Sequence, residues 1–202
     1  MNEPLAHIVD DDEAMRDALI WLLRSRQVKT ATWPSAESFL AEWHETLSGC
    51  LILDIRMPGM SGLELFDHLQ ARRSLMPVIF LTGHGDIPQA VAALKKGAYD
   101  FLEKPFDDNS LVDRVIAAMA ADLARRSRQI QSDEISTRMA QLSPREYQVM
   151  QLILAGKYNK VIADEMQIAM RTVEVHRARI FEKMGVRSAV DLAQLLAGIK
   201  NH

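Results

Sequence analysis

Asp54 closes the apolar run Cys50-Leu51-Ile52-Leu53 and is followed by Ile55-Arg56-Met57-Pro58-Gly59. An apolar run that ends in one acid and a Pro-Gly loop reads as a buried strand delivering a carboxylate to a tight turn. Asp10 and Asp11 end a second run of this kind, Leu5-Ala6-His7-Ile8-Val9. In an open parallel sheet the carboxyl ends of the strands face one crevice, where ligands of such folds bind. Three carboxylates gathered there cannot all stay ionised without a cation. Mg²⁺ suits them, because it prefers oxygen, keeps several waters and takes few protein ligands. The expected ligand set is Asp10, Asp11, Asp54 and the backbone carbonyl of Arg56. A Mg²⁺ site with a spare carboxylate oxygen can accept a phosphoryl group, and Asp54 is the acid placed to do so. Thr82 and Lys104 end two further runs, Phe80-Leu81-Thr82 and Phe101-Leu102-Glu103-Lys104. The hydroxyl of one can donate to a phosphoryl oxygen, and the ammonium of the other can neutralise its charge. Phosphoryl transfer needs little beyond such positioning and Mg²⁺.

The elements that must hold these groups alternate. Strands are expected over 5–9, 28–33, 50–53, 77–81 and 99–102, and helices over 13–25, 35–44, 62–72, 86–96 and 107–122. The strands are apolar throughout rather than alternating, as when both faces of a parallel sheet are covered. Ser35, and Ser61 with Glu64, supply helix starts, and Gly97 after Lys95-Lys96 supplies a stop. From Asp107 to Ser143 there is no Gly or Pro. Strong helix formers fill 115–131, so the fifth helix is expected to run past residue 122 as a helical connector, the alternative being a disordered polar tether around 125–138. Beyond it everything reads as helix: Ser143-Pro144-Arg145-Glu146 is a capping box with Pro at the first helical position. Short helices follow over Asn159–Met166, Arg171–Lys183 and about 188–198.

The chain has 202 residues and a net charge of −3. That sum hides an asymmetry. Residues 1–120 hold 11 Lys and Arg against 18 Asp and Glu, a balance of −7, whereas residues 121–202 hold 13 against 9, a balance of +4. An acidic front and a basic rear point to two domains with different partners. No apolar run approaches a membrane span, and Met1-Asn2-Glu3-Pro4 lacks the features of a secretory signal. A single cysteine, Cys50, forms no internal disulfide; it is expected to pack in its strand, and the chain to reside in the reducing cytoplasm. No Gly-x4-Gly-Lys-Ser/Thr loop is present, which argues against an ATP-driven machine.

The rear carries its own constellation. Two short helices joined by a tight turn, the second rich in Arg, follow helix-turn-helix logic. Val173, Ile180 and Met184 recur at core-facing spacing. Arg171, Thr172, Glu174, Val175, His176, Arg177, Arg179 and Lys183 are left for a major groove, with Lys160 placed for a phosphate. A solvated helix face would share this composition, and charge alone does not choose.

Two sets of motifs carry a resemblance. Val9-Asp10-Asp11-Asp12, Leu53-Asp54-Ile55-Arg56-Met57-Pro58-Gly59-Met60-Ser61-Gly62, Leu81-Thr82-Gly83-His84-Gly85-Asp86 and Lys104-Pro105-Phe106 resemble the receiver domain of two-component response regulators, over about residues 4–122. Leu142-Ser143-Pro144-Arg145-Glu146, Ala155-Gly156-Lys157, Asn159-Lys160-Val161-Ile162-Ala163, Thr172-Val173-Glu174-Val175-His176 and Ile180-Phe181-Glu182-Lys183-Met184-Gly185-Val186 are similar to the LuxR-type four-helix DNA-binding domain, over about 141–198. Val161 stands where that family usually has Glu, and Ala169-Met170 replaces its usual cap-like Ser and the Pro or Glu after it.

The resemblance implies an α/β fold: a flavodoxin-like five-stranded parallel receiver domain (1–122), joined by a helical linker (123–140) to an all-α four-helix helix-turn-helix domain (141–202). It implies a phosphoprotein that takes a phosphoryl group on Asp54 from a sensor histidine kinase, with Mg²⁺ as cofactor. It implies a cis Lys104–Pro105 bond and a switch made of Thr82 and Phe101. Phe101 also suits plain core packing, and the two readings are compatible. His7 is expected to be packed and His84 to sit on a surface loop, while Asp12 and Glu13 suit the dipole of a helix N-terminus. The implied partners are double-stranded promoter DNA, RNA polymerase and a second copy of the chain on phosphorylation, with no membrane. No enzyme activity is implied beyond self-phosphorylation and dephosphorylation. Two rivals are a phosphorylation-independent DNA-binding regulator with a degenerate receiver and a Mg²⁺-dependent phosphatase with an Asp nucleophile. The phosphatase would want its nucleophile on the first strand with a second acid two residues on, whereas Asp54 stands on the third.

Overall fold

The computed structural model describes residues 3–83 and 87–200. The elements run β1 (Leu5–Val9), α1 (Glu13–Ser25), β2 (Thr30–Trp33), α2 (Ala36–Glu42), β3 (Gly49–Asp54), α3 (Gly62–Ala71), β4 (Val78–Thr82), α4 (Ile87–Lys95), β5 (Asp100–Glu103) and α5 (Asp108–Ala140), then α6 (Pro144–Leu154), α7 (Asn159–Met166), α8 (Met170–Met184) and α9 (Ala189–Lys200). The chain divides into two compact units, Met1–Arg126 and Ser127–His202. The expectation for His84 falls outside the described residues. Among the described residues, no helix is long and apolar enough to cross a membrane.

In the first unit the five strands pair in parallel in the order β2-β1-β3-β4-β5. This is the flavodoxin-like order, with its switch point between β1 and β3. Successive side chains of a strand point to opposite faces. Accordingly Leu51, Leu53, Val78 and Phe80 meet Phe39, Leu65, Phe66, Leu69 and Ala90 from α2, α3 and α4 on one face. Cys50, Ile52, Ile79 and Leu81 meet Leu19, Leu23, Leu111, Val112 and Val115 from α1 and α5 on the other. Burial on both faces explains why these strands read as unbroken apolar runs. β2 starts two residues later than the sequence pattern predicts. The Val28 N–H donates to the Leu23 carbonyl and Gln27 takes φ 61, so residues 26–28 finish α1 rather than begin a strand. His7 is packed as expected, with its Nε2 3.1 Å from the Ser48 carbonyl oxygen.

α5 runs without interruption to Ala140. Its buried Asp122 accepts the Gly49 N–H at 2.9 Å and the Arg126 Nε–H at 2.8 Å, and Arg126 also donates to the Leu47 carbonyl. These bonds tie the helix to the loop that leads into β3.

The second unit is helical. Its core joins Ile135 from the end of α5 to Val149, Met150, Ile153, Ile162, Val173, Ile180, Met184 and Leu192. The last turns of α5 are therefore packed into this unit, and Arg138 donates to the Met184 carbonyl at 3.0 Å. The capping box of α6 is formed: Ser143 Oγ accepts the Glu146 N–H at 3.2 Å, and the Ser143 N–H donates to Glu146 Oε2 at 2.8 Å. Lys183 of α8 adds an ammonium 2.6 Å from the same Oε2. With Lys183 first among its partners, the buried Glu146 carboxyl is pushed down to about 2.

The depressed value stabilises the fold above the ordinary glutamate range of about 4.3, and that contribution is lost as pH falls toward about 2. Replacing Glu146 with Gln should lower stability at pH 7 by about 1–3 kcal/mol. The penalty should shrink between about pH 4.3 and pH 2. Hydrogen exchange of the α6 amides in both proteins across that range checks this; a constant penalty would remove the ion pair as its source.

Candidate functional site

β1, β3, β4 and β5 end at one rim of the sheet, and each brings a polar group there. Asp54 closes β3, and its carboxylate is held at both oxygens. Oδ1 lies 2.6 Å from Lys104 Nζ, and Oδ2 accepts the Arg56 N–H at 2.7 Å. Asp10, which follows β1 and is 1% exposed, places Oδ2 3.1 Å from the same ammonium and accepts the Asp12 N–H on Oδ1 at 2.9 Å. One cation thus sits between two carboxylates. Burial raises the Asp54 carboxyl above its usual range, and Lys104 only partly offsets this. Burial also works against the Lys104 charge, but Asp54 and Asp10 together outweigh it and hold the ammonium above its usual range.

Thr82 ends β4 fully buried, and its Oγ1 has no hydrogen-bond partner among the described residues. A buried hydroxyl left alone is costly, and Thr82 directly follows Leu81, the register partner of Asp54. The Lys104 N–H donates to the Thr82 carbonyl at 2.7 Å, which keeps the ends of β4 and β5 together, and the Lys104–Pro105 bond is cis. Phe101 lies half-buried against the core on the α2–α4 side.

Two supports of this site gave no signal in the sequence. Arg16, in the first turns of α1, donates through one nitrogen to the carbonyls of Asp10 (2.8 Å) and Asp11 (3.1 Å), fixing the acidic loop. Glu37 of α2 accepts the Met60 N–H at 2.8 Å and so holds the loop after Asp54. Neither spacing nor residue type marks such pairings. Gly62 is legible only in part: it begins α3, but its real constraint is space. A Cβ there would lie 2.1 Å from the Asp54 carbonyl oxygen.

Asp10, Asp11, Asp12, Asp54, Arg56, Gly83 and Lys104 line a cavity of about 290 Å³. Among the described residues no three His, Cys, Asp or Glu side chains converge closely enough to hold a metal by themselves. Mg²⁺ asks for less, since it binds through one or two carboxylates and keeps waters. The donor chemistry fits it: two buried carboxylates share one ammonium, leaving the pocket net negative, with Asp11 exposed at the rim.

In the second unit α7 and α8 are joined at Gln167–Ala169, with Gln167 in the left-handed region at φ 54. Ala169 caps α8 without a side-chain hydrogen bond, the expected consequence of having no Ser there. Arg171, Thr172, Glu174, Val175 and Arg179 are exposed on α8, and Lys160 is exposed at the start of α7. Three residues expected on this face sit differently. His176 and Arg177 are half-buried, the Arg177 guanidinium lying 5.3 Å from the Phe181 ring centroid. Lys183 is turned to Glu146 and to the Gln141 carbonyl, so its ammonium joins α8 to the start of α6.

Comparison with known proteins agrees with both halves. The family model for the response regulator receiver domain matches residues 6–116, and that for bacterial regulatory proteins of the luxR family matches residues 140–196. The C4-dicarboxylate transport transcriptional regulatory protein DctR of Rhodobacter capsulatus is 52% identical over 191 residues, covering 94% of this chain and 97% of that protein. The transcriptional regulatory protein FixJ of Bradyrhizobium diazoefficiens is 43% identical over 198 residues, covering 96% of each. Among solved structures, the response regulator StyR superposes with a TM-score of 0.89 at 42% identity, covering 96% of this chain and 98% of that one.

The lone Thr82 hydroxyl makes a testable point about the resting protein. Thr82→Val removes a buried polar group that has no described partner, so stability should be unchanged or higher by up to about 1 kcal/mol. Urea unfolding followed by tryptophan fluorescence reads this, because Trp21, Trp33 and Trp43 all lie in the first unit. A loss above about 1 kcal/mol would show that the hydroxyl is already bonded.

Proposed function

Because the chain belongs to the two-component response regulators that join a receiver domain to a luxR-family DNA-binding domain, we propose that Asp54 is its phosphoacceptor and that phosphorylation there controls promoter binding. The protein is a transcriptional regulator of the phosphorylation-based two-component type. Residues 1–122 act as receiver, 123–140 as helical linker and 141–202 as the DNA-binding domain. The observation that carries the assignment is the buried Asp54 carboxylate, held by the Arg56 N–H on one oxygen and by Lys104 on the other, at the rim where four strands end.

A sensor histidine kinase supplies the phosphoryl group. An Asp54 oxygen forms the new bond to phosphorus as the bond to the donor breaks, with attacking and leaving atoms in line. Asp10, Asp11 and Asp54 with the Arg56 carbonyl, completed by water, would hold Mg²⁺, which would supply charge neutralisation for the transferring group. Lys104 then shifts its contact from the carboxylate to the phosphoryl oxygens, and Thr82 gains an acceptor for its unpartnered hydroxyl. Phe101 follows Thr82, carrying the change along the end of the sheet. Thr82, Lys104 and Asp54 perform this chemistry on the protein itself, and no other substrate is turned over.

The output is a homodimer whose α8 faces enter the major groove of double-stranded DNA. Thr172, Glu174 and Val175 form the reading face with His176 beside them, Arg171, Arg179 and Lys160 meet phosphates, and Arg177 flanks the face. Lys183 contributes by holding α8 in place. RNA polymerase is the further partner, and the cytoplasm the location.

Incubation of the full-length protein with acetyl phosphate and Mg²⁺ should add one phosphoryl mass to the wild type and none to Asp54→Asn. Labelling that persists in the variant would move the acceptor elsewhere.

A further inference from the structure

Resting on the reading of α8 as the DNA-reading helix, we infer that Glu174 recognises a cytosine in the major groove and, through its charge, weakens binding to other sequences. Glu174 lies in the second turn of α8 and is exposed, with no hydrogen bond or ion pair to any described residue. Arg171 is one turn back, Arg179 lies further along the exposed face, and Lys160 is exposed on α7. Two other acids of this unit are paired with lysines: Glu165 with Lys157 at 2.5 Å, and Glu146 with Lys183 at 2.6 Å. Arg177, three residues on, does not shield it, because that guanidinium lies over Phe181.

A free carboxylate on a surface that meets a polyanion opposes binding unless a donor receives it. Residues near the amino end of a recognition helix are the ones that reach base edges. Of the four bases, cytosine alone presents in the major groove a donor, its N4 amino group, without an acceptor of its own. Adenine sets N7 beside its amino group, guanine shows N7 and O6, and thymine shows O4 and a methyl group. A carboxylate therefore gains a hydrogen bond at cytosine and meets acceptors elsewhere. Arg171, Arg179 and Lys160 hold the backbone of any sequence, and Glu174 converts part of that general attraction into discrimination by penalising the wrong base.

The test selects binding sites from a random duplex library with the full-length protein activated by acetyl phosphate and Mg²⁺. Wild type, Glu174→Ala, Glu174→Gln and Arg171→Ala are compared, with circular dichroism confirming that each is folded. Wild type should require cytosine at one position of each half-site, and changing that base should weaken binding about tenfold or more. Glu174→Ala should lose this requirement while binding random DNA more tightly. Glu174→Gln should move the preference to adenine, whose N6 and N7 suit an amide. Arg171→Ala should weaken all sites alike and leave the preference unchanged. Selection of the same bases by Glu174→Ala as by wild type overturns the inference while leaving the DNA-binding reading intact. A folded wild type that selects no sequence overturns both.

Discussion

A single ammonium placed between two buried carboxylates governs the geometry of the first unit. A buried charge without a partner costs several kcal/mol, so Asp10, Asp54 and Lys104 are tolerable only together. The strand order dictates how they can meet. β1 and β3 are neighbours, about 4.8 Å apart, so their terminal acids fall side by side. β5 lies two places from β3, about 10 Å away, beyond the reach of a short side chain. A lysine spans that gap across the end of β4, which Thr82 closes. The residue type at position 104 thus follows from the sheet order as much as from chemistry. Arg16 and Glu37 complete the frame by fixing the two loops that carry the acids.

The same economy appears in the second unit, with a different purpose. Glu146 closes the capping box of α6 and also receives Lys183 from α8. The pair couples the start of α6 to the end of α8. It takes one cation out of the exposed face of α8, which keeps Arg171 and Arg179 around an unpaired Glu174. The balance of +4 over residues 121–202 overstates the attraction that this face can exert, since paired cations offer less to a phosphate than free ones.

The strand-end groups were legible in the sequence because each follows an apolar run and β strands end where such runs end. Run ends alone place Asp54, Thr82 and Lys104 at one rim, and residue spacing alone marks the capping boxes at Ser61 and Ser143. Asp10 was legible for the same reason, but its partition from Asp11 was not: which of two adjacent acids turns inward depends on the loop that Arg16 fixes. Lys183 was read as a DNA contact because helix periodicity puts it near the cationic stripe, and only the fold brings Glu146, far back in the chain, within 2.6 Å. The Asp122–Gly49 bond, which anchors α5, is likewise invisible locally. Periodicity reports the neighbours of a residue along its own element and is silent about contacts between elements.

A phosphoryl group can drive a switch only through contacts that differ between the two states. On the proposed phosphorylation of Asp54, the resting pocket offers one such gain, the Thr82 hydroxyl, which has no partner among the described residues. Giving that donor a charged acceptor is worth about 1.5–3 kcal/mol. Lys104 contributes less than its proximity implies, because it already has two carboxylates and exchanges partners rather than gaining one. Moving a two-state equilibrium from 1:99 to 99:1 requires about 5.5 kcal/mol. On that proposal the local chemistry at Asp54 falls short of a complete switch by about half or more. The remainder has to come from outside the pocket, from association of two chains and from DNA, both of which favour the active state by mass action. The proposed switch therefore makes response depend on the concentration of the protein and of its DNA sites as well as on the fraction of Asp54 that carries phosphate.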